Sequence, residues 1–222
     1  MYKLIRQRRK SVTIHVEDDL NVVVKAPYSI AQREIDEIVI KHEAWIQKTI
    51  KEKKALAIQK DWLMNQEILY LGKRIPIRIE ENPVAKPNVC IETDVMIITT
   101  PNKKDHFLIK KQLEAYTKEQ ALNLFTTLTE KYCSLLGCNY HTITIRRQKT
   151  RWGSCSNKGT LSYNIRLMSA PIEAIEYVVL HEVMHLIHFN HSPLFWQAIA
   201  KIMPDYKKWQ HYLKEQGNIL DI

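Results

Sequence analysis

The chain reads as an α+β protein: a β-rich first half carrying one long helix, then a second half in which helices enclose a small sheet. Three patterns predict this. Apolar and polar residues alternate over 11–16, 20–26, 67–80 and 88–100, the period-two signature of half-buried strands. Apolar residues recur at helical spacing over 29–58 and 103–136. From Pro171 onward a further helical stretch is apolar almost all round, which marks a helix surrounded by protein.

Taken in order, Ser11–Val16 and Leu20–Ala26 flank an Asp18-Asp19 turn and predict a β-meander. Ser29 and Gln32 form a capping box, and the helix it opens runs to about residue 58 with Ile35, Ile38, Val39, His42, Trp45, Ile46 and Ile50 inward. Asp61–Gln66 is a connector. Glu67–Leu71 and Arg74–Glu80 make a hairpin around Gly72-Lys73, and Asn88–Thr100 makes another that turns at Asp94. Pro101-Asn102 is the expected boundary between a domain of residues 1–100 and one of residues 101–222.

Lys103–Leu136 is a single helix stopped by Gly137, its inner stripe including Phe107, Leu108, Leu113, Tyr116, Ala121, Leu124, Leu128 and Tyr132. Thr142–Arg147 and Leu161–Met168 are the strands of a hairpin whose irregular turn contains Gly153, Asn157 and Gly159. Helices then open at Pro171, at Ser192-Pro193 and at Pro204, the last stopped by Gly217.

Composition narrows the class. With 45% hydrophobic and 26% charged residues the chain is ordinary for a soluble globular protein. No apolar run reaches the roughly 18 residues of a membrane span. The basic N-terminus is not followed by a signal-like apolar segment, and Cys90, Cys133, Cys138 and Cys155 form no CxxC pair; reduced thiols in a cytoplasm are expected. A net charge of +9 directs attention to acidic or nucleic-acid partners without establishing one.

The chemistry concentrates in His181-Glu182-Val183-Met184-His185. Helical residues four apart share a face, so His181 and His185 can aim two imidazoles at one ion. Glu182, one position on, lies at the edge of that face and reaches a water beside the ion rather than the ion itself. Two such histidines and a glutamate in an otherwise apolar helix are costly unless a metal satisfies them. Catalytic zinc usually takes three protein ligands. His188 shares the face but sits ~10 Å further along the axis. Asn190 favours a helix stop and Ser192-Pro193 a new start, so a turn there would fold His191 back as the third ligand; Asp205 is the alternative.

The segment 146–166 is a basic hairpin, free of acids, that can supply cations and strand pairing to a substrate. Arg147 and Arg151 are its candidate substrate-binding residues, with Tyr163 and Asn164 on its second strand. Tyr163, Tyr206 and His188 are candidates to donate to a developing oxyanion. Trp152 is expected to pack on the core. A nucleophilic Cys155 with His181 as base would leave the rest of the His-Glu-His arrangement without a task.

Arg151-Trp152-Gly153-Ser154-Cys155, Gly159, Asn164, Leu167, His181-Glu182-Val183-Met184-His185, Asn190-His191-Ser192 and Phe195-Trp196 together resemble the YgjP-like predicted metal-dependent hydrolases, relatives of the SprT and WLM zinc metalloproteases. The resemblance extends to Arg9-Lys10-Ser11 and Ala26-Pro27, hence over the whole chain. It implies a zincin-like second half, Zn2+ on His181, His185 and His191, and Glu182 as the catalytic acid. Three functions are carried forward: a zinc peptidase in which Glu182 activates water, a zinc hydrolase of a nucleotide or other phosphorylated substrate, and a basic nucleic-acid-binding protein that retains a metal. The expected partners are accordingly a peptide or small-molecule substrate, or a nucleic acid along 146–166.

Overall fold

A computed structural model describes residues 2–217 and 220. They form an α+β protein divided into two compact units, Met1–Asp61 and Trp62–Ile222. The division falls at Asp61/Trp62 rather than at Pro101-Asn102. The reason is packing: Ile68, Ile75, Val89, Met96 and Ile98 of the strands before residue 100 share one core with Ile109 and Leu113 of the helix after it.

The first unit holds β1 (Lys3–Arg6), β2 (Thr13–Val16), β3 (Val22–Ala26), α1 (Gln32–Lys41) and α2 (Glu43–Lys60). Its sheet is ordered β1-β3-β2, with β1 parallel and β2 antiparallel to β3. The meander is thus extended by a strand too short and too charged to show its period. The expected single helix breaks at His42. No side chain caps its start; Glu34 instead accepts the Ala31 N–H at 3.2 Å, so the Ser29–Gln32 capping box is not formed. Val16, Val24, Ala26, Ile35, Val39 and Ile46 make the core, whereas Trp45, expected inward, is 47% exposed.

The second unit begins with α3 (Trp62–Asn65), followed by β4 (Glu67–Tyr70), β5 (Lys73–Glu81), β6 (Asn88–Glu92) and β7 (Val95–Thr100). These strands form a sheet ordered β4-β5-β7-β6. The β4–β5 turn uses positive φ at both Leu71 and Gly72, the two-residue form that matches strand twist. Gly72 has a second reason to lack a side chain: a Cβ there would stand 2.9 Å from the Cα of Pro171. Leu71 and Gly72 donate their N–H groups to Met168 and Ser169, so this sheet grips the backbone just before the helix that carries the site.

Helix α4 (His106–Leu136) crosses the unit. Asp105 caps it by accepting from Leu108 N–H, and Gly137, at φ 63, ends it in the left-handed conformation. Its buried stripe runs through Ile109, Leu113, Thr117, Ala121, Phe125, Leu128 and Tyr132. Phe107, read as inward, is 80% exposed.

A second sheet, ordered β8-β10-β9, consists of β8 (Thr142–Arg146), β9 (Gly153–Cys155) and β10 (Thr160–Asn164). Here the expectation of a β8–β10 hairpin fails. Those strands are parallel, and the antiparallel hairpin is formed by the short β9 with β10. Residues 165–169 are a 3₁₀ turn rather than the end of a strand. Then come α5 (Ile172–Met184), α6 (Pro193–Ile202) and α7 (Tyr206–Gln216). No helix among the described residues is long and apolar enough to cross a membrane.

Candidate metal centre

Helix α5 is held by its apolar faces: Ala174, Ile175, Val178, Val179, Leu180 and Val183 are buried in the main core with Phe125, Leu161 and Phe195. Burial on this scale fixes both the rotation of the helix and the direction of its polar residues. His181 and His185 stand one turn apart, ring centroids separated by 4.9 Å. The helix ends at Met184 with His185 still in helical conformation, and the chain then turns tightly, Leu186 N–H bonding the Val183 carbonyl. Ser192-Pro193 opens α6 immediately afterwards. Between these two helix ends the chain doubles back and places His191 Nε2 3.0 Å from His181 Nε2. One donor nitrogen from each ring lies within 4.8 Å of the other two.

The donor set fits a divalent cation. Nitrogens held at 2.0–2.1 Å around a tetrahedral ion lie roughly 3.3 Å apart, inside the range these rings span. His185 Nδ1 is 3.0 Å from the His188 carbonyl oxygen. A carbonyl only accepts, so Nδ1 carries the proton and Nε2 keeps its lone pair. Burial, then the neighbouring His185 and His191, push His181 down to about 3, and burial also lowers His185. Both are therefore neutral imidazoles at neutral pH, the form that ligates metals. His181 Nδ1 is buried without a hydrogen-bond partner among the described residues. Phe195 lies against all three rings at centroid distances of 4.8 to 5.1 Å, and Trp196 stacks on His191 at 5.5 Å. Asp205 is outside this cluster; its Oδ2 accepts from the Trp209 indole N–H at 3.1 Å.

Glu182 lines the same cavity as His181 and is 6% exposed. Burial raises its carboxyl to about 8, against an opposing pull from the Arg151 charge. A positive ion at the histidines would favour the ionised form. Strand β9 packs directly on this side chain: a Cβ on Gly153 would stand 2.6 Å from both Cγ and Oε1 of Glu182. The arrangement can hold a cation on three nitrogens and a carboxylate beside it, with the bare Gly153 backbone as its wall.

The other sequence-predicted site residues divide. Arg147 and Arg151 are exposed on the loop before β9, Arg151 close enough to act on Glu182. Tyr163 is fully buried, and its hydroxyl meets that of Thr129 at 2.9 Å, so it packs the core instead of facing a substrate. Asn164 is also buried; its Nδ2 donates to the carbonyls of Gln148 and Arg151 at 2.7 and 2.8 Å, tying down the basic loop. Tyr206 is sandwiched between Trp196 and Tyr177. His188 contributes its carbonyl to His185. Gly153 lies in strand β9 rather than in the expected turn; a glycine inside a strand, which signals close approach by another group, is the cue that exposes its role.

Three clustered imidazoles on and just after one helix, with a glutamate between the first two, make a site that can hold a metal ion beside an acid–base group. The chain belongs to the YgjP-like family, whose metallopeptidase-domain model matches residues 10–216. It is also similar to the solved structure of the metallopeptidase zymogen of Pyrococcus abyssi abylysin, with 23% identity, 41% of this chain and 93% of that chain covered, and a TM-score of 0.38. That likeness is too slight to bear on the site. No curated protein matches the chain.

Proposed function

We propose that the protein is a zinc peptidase in which His181, His185 and His191 hold the ion and Glu182 moves the protons. The observation that carries this reading is the meeting of three imidazole nitrogens within 4.8 Å beside a buried carboxylate on the same helix. Zinc in such a site acidifies water and polarises a carbonyl. Glu182 Oε1, fixed against Gly153, accepts the proton of the attacking water as the new C–O bond forms, and returns it to the departing amine as the C–N bond breaks. His188, through its carbonyl, keeps the His185 ring turned toward the ion. Strand β9 lies at the edge of its sheet beside α5, where an extended peptide can add as a further strand.

Exposed Arg146, Arg147, Arg151 and Lys158 around β9 support a second reading, hydrolysis of a nucleotide or other phosphorylated substrate. Zinc-loaded protein and its Glu182→Gln variant, assayed on peptides and on nucleotides, separate the two. The variant is expected to retain zinc and lose peptide hydrolysis by roughly 10²–10⁴-fold. Turnover at the parent rate contradicts the role of Glu182. Strong salt-dependent nucleic-acid binding, unaltered in the variant and without hydrolysis of any substrate, would support a binding protein instead.

A further inference from the structure

Two cavities flank the histidine cluster, and they differ in kind. On the His185 side, one of about 420 Å³ is lined by His141, Asn157, Lys158 and other polar groups. On the Glu182 side, one of about 270 Å³ is lined by Trp152, Tyr177, Val178 and Leu213, with the exposed Gln210 and Lys214 also contributing, and reaches His181 and Glu182 themselves. We propose that this second cavity is a specificity pocket that receives one large apolar side chain, aromatic or long aliphatic, of a peptide substrate. The proposal rests on the peptidase reading above and names which peptides the site prefers.

Size is the first argument. The cavity falls just below the roughly 300–1,000 Å³ of sites that take whole small molecules, so a single side chain suits it better than a free ligand. Chemistry is the second. Tyr177, Val178 and Leu213 are buried, so the walls offer hydrocarbon and ring surface. The stem of Lys214 can lie along apolar surface while its ammonium stays in water.

The third argument is rigidity. Tyr177 stacks on Tyr206, Tyr206 on Trp196, and Trp196 on His191, with centroid distances of 6.3, 5.5 and 5.5 Å. One wall of the pocket is thus continuous with a metal-site residue. The opposite wall, Trp152, lies under the Arg166 guanidinium at 5.0 Å, and Arg166 is itself anchored on the carbonyls of Gly217 and Leu220. Fixed walls discriminate by shape, whereas adaptable ones do not. A side chain seated here also brings its own backbone to the stretch between Gly153 and His181, next to Glu182 Oε1.

The test uses the full-length zinc-loaded chain and a peptide series identical except for one residue, set to Gly, Ala, Leu, Phe, Trp or Lys in turn. Hydrolysis is read as kcat/KM. Binding is read separately, by anisotropy of the labelled peptides with the Glu182→Gln variant. Burial of one large apolar group predicts that Phe or Leu exceeds Ala by roughly 10–100-fold in both readouts. Val178→Phe fills the cavity and should reverse that order. Because Val178 is buried and its variant can fail to fold, the exposed Gln210→Trp, which narrows the pocket from its surface side, is measured beside it and should cut the Phe-over-Ala ratio by about tenfold. A flat series, or a preference that survives Gln210→Trp unchanged, overturns the pocket. Peptides that bind in order of apolar size yet are never cleaved would leave the pocket standing and defeat the peptidase reading; cleavage with no dependence on the varied residue does the reverse.

Discussion

The two flanks of the histidine cluster are built differently. On the Glu182 flank, the carboxylate, Tyr177, Val178 and Leu213 are all buried, and β9 closes on the carboxylate so tightly that even a methyl group on Gly153 has no room. On the other, Phe189 is 79% exposed and the lining is mostly polar. A charge acts more strongly where water is excluded, and it needs fixed neighbours to be aimed there. Ligand nitrogens can adjust by small ring rotations and need less support. Substitutions on the buried flank should therefore act by displacing Glu182, and those on the open flank by altering affinity or charge.

The sharpest way to break this contrast is Gly153→Ala. The new methyl must push the Glu182 side chain or β9 aside, and a misplacement near 1 Å costs about 10²-fold in rate. The expected result is kcat reduced by about that factor with zinc content unchanged, read by steady-state kinetics and elemental analysis. A fully active variant would show that Glu182 is not held by the strand. Next is Asn164→Ala, which leaves the Gln148 and Arg151 carbonyls without their buried donor. Denaturant unfolding should show a loss of about 1–3 kcal/mol, with zinc still bound. Smallest is Arg147→Ala on the exposed loop, expected to alter hydrolysis only for anionic substrates. A general loss of activity would mean that this basic loop participates in the chemistry.

What could be read directly was local. The His181-Glu182-Val183-Met184-His185 spacing places its two histidines on one helix face regardless of context. Ser192-Pro193 marks the restart that brings His191 back, whereas the helix stops at Met184, well before the Asn190 expected to end it. Gly137 ends α4 where expected, because φ 63 is a requirement of that one position. What could not be read depends on distant partners. The parallel pairing of β10 with β8 joins Asn164 to Arg146, and nothing in either segment states the direction. Tyr163 and Asn164 look like site residues because they are polar and adjoin a basic loop, yet the fold turns one hydroxyl onto Thr129 and one amide onto loop carbonyls. Phe107 fits the helical period of α4 but sits in its first turn, while Ile109 packs against the sheet that precedes the helix. That same shared core moved the boundary between compact units back to Asp61.

The most direct measurement is the metal content of the purified chain at neutral pH, compared with His181→Ala, His185→Ala, His191→Ala and Glu182→Gln. The account predicts one zinc per chain in the parent and in Glu182→Gln, and sharply lowered occupancy in each histidine variant. A parent chain that does not retain zinc, or a His191→Ala chain that retains it as well as the parent, would contradict it.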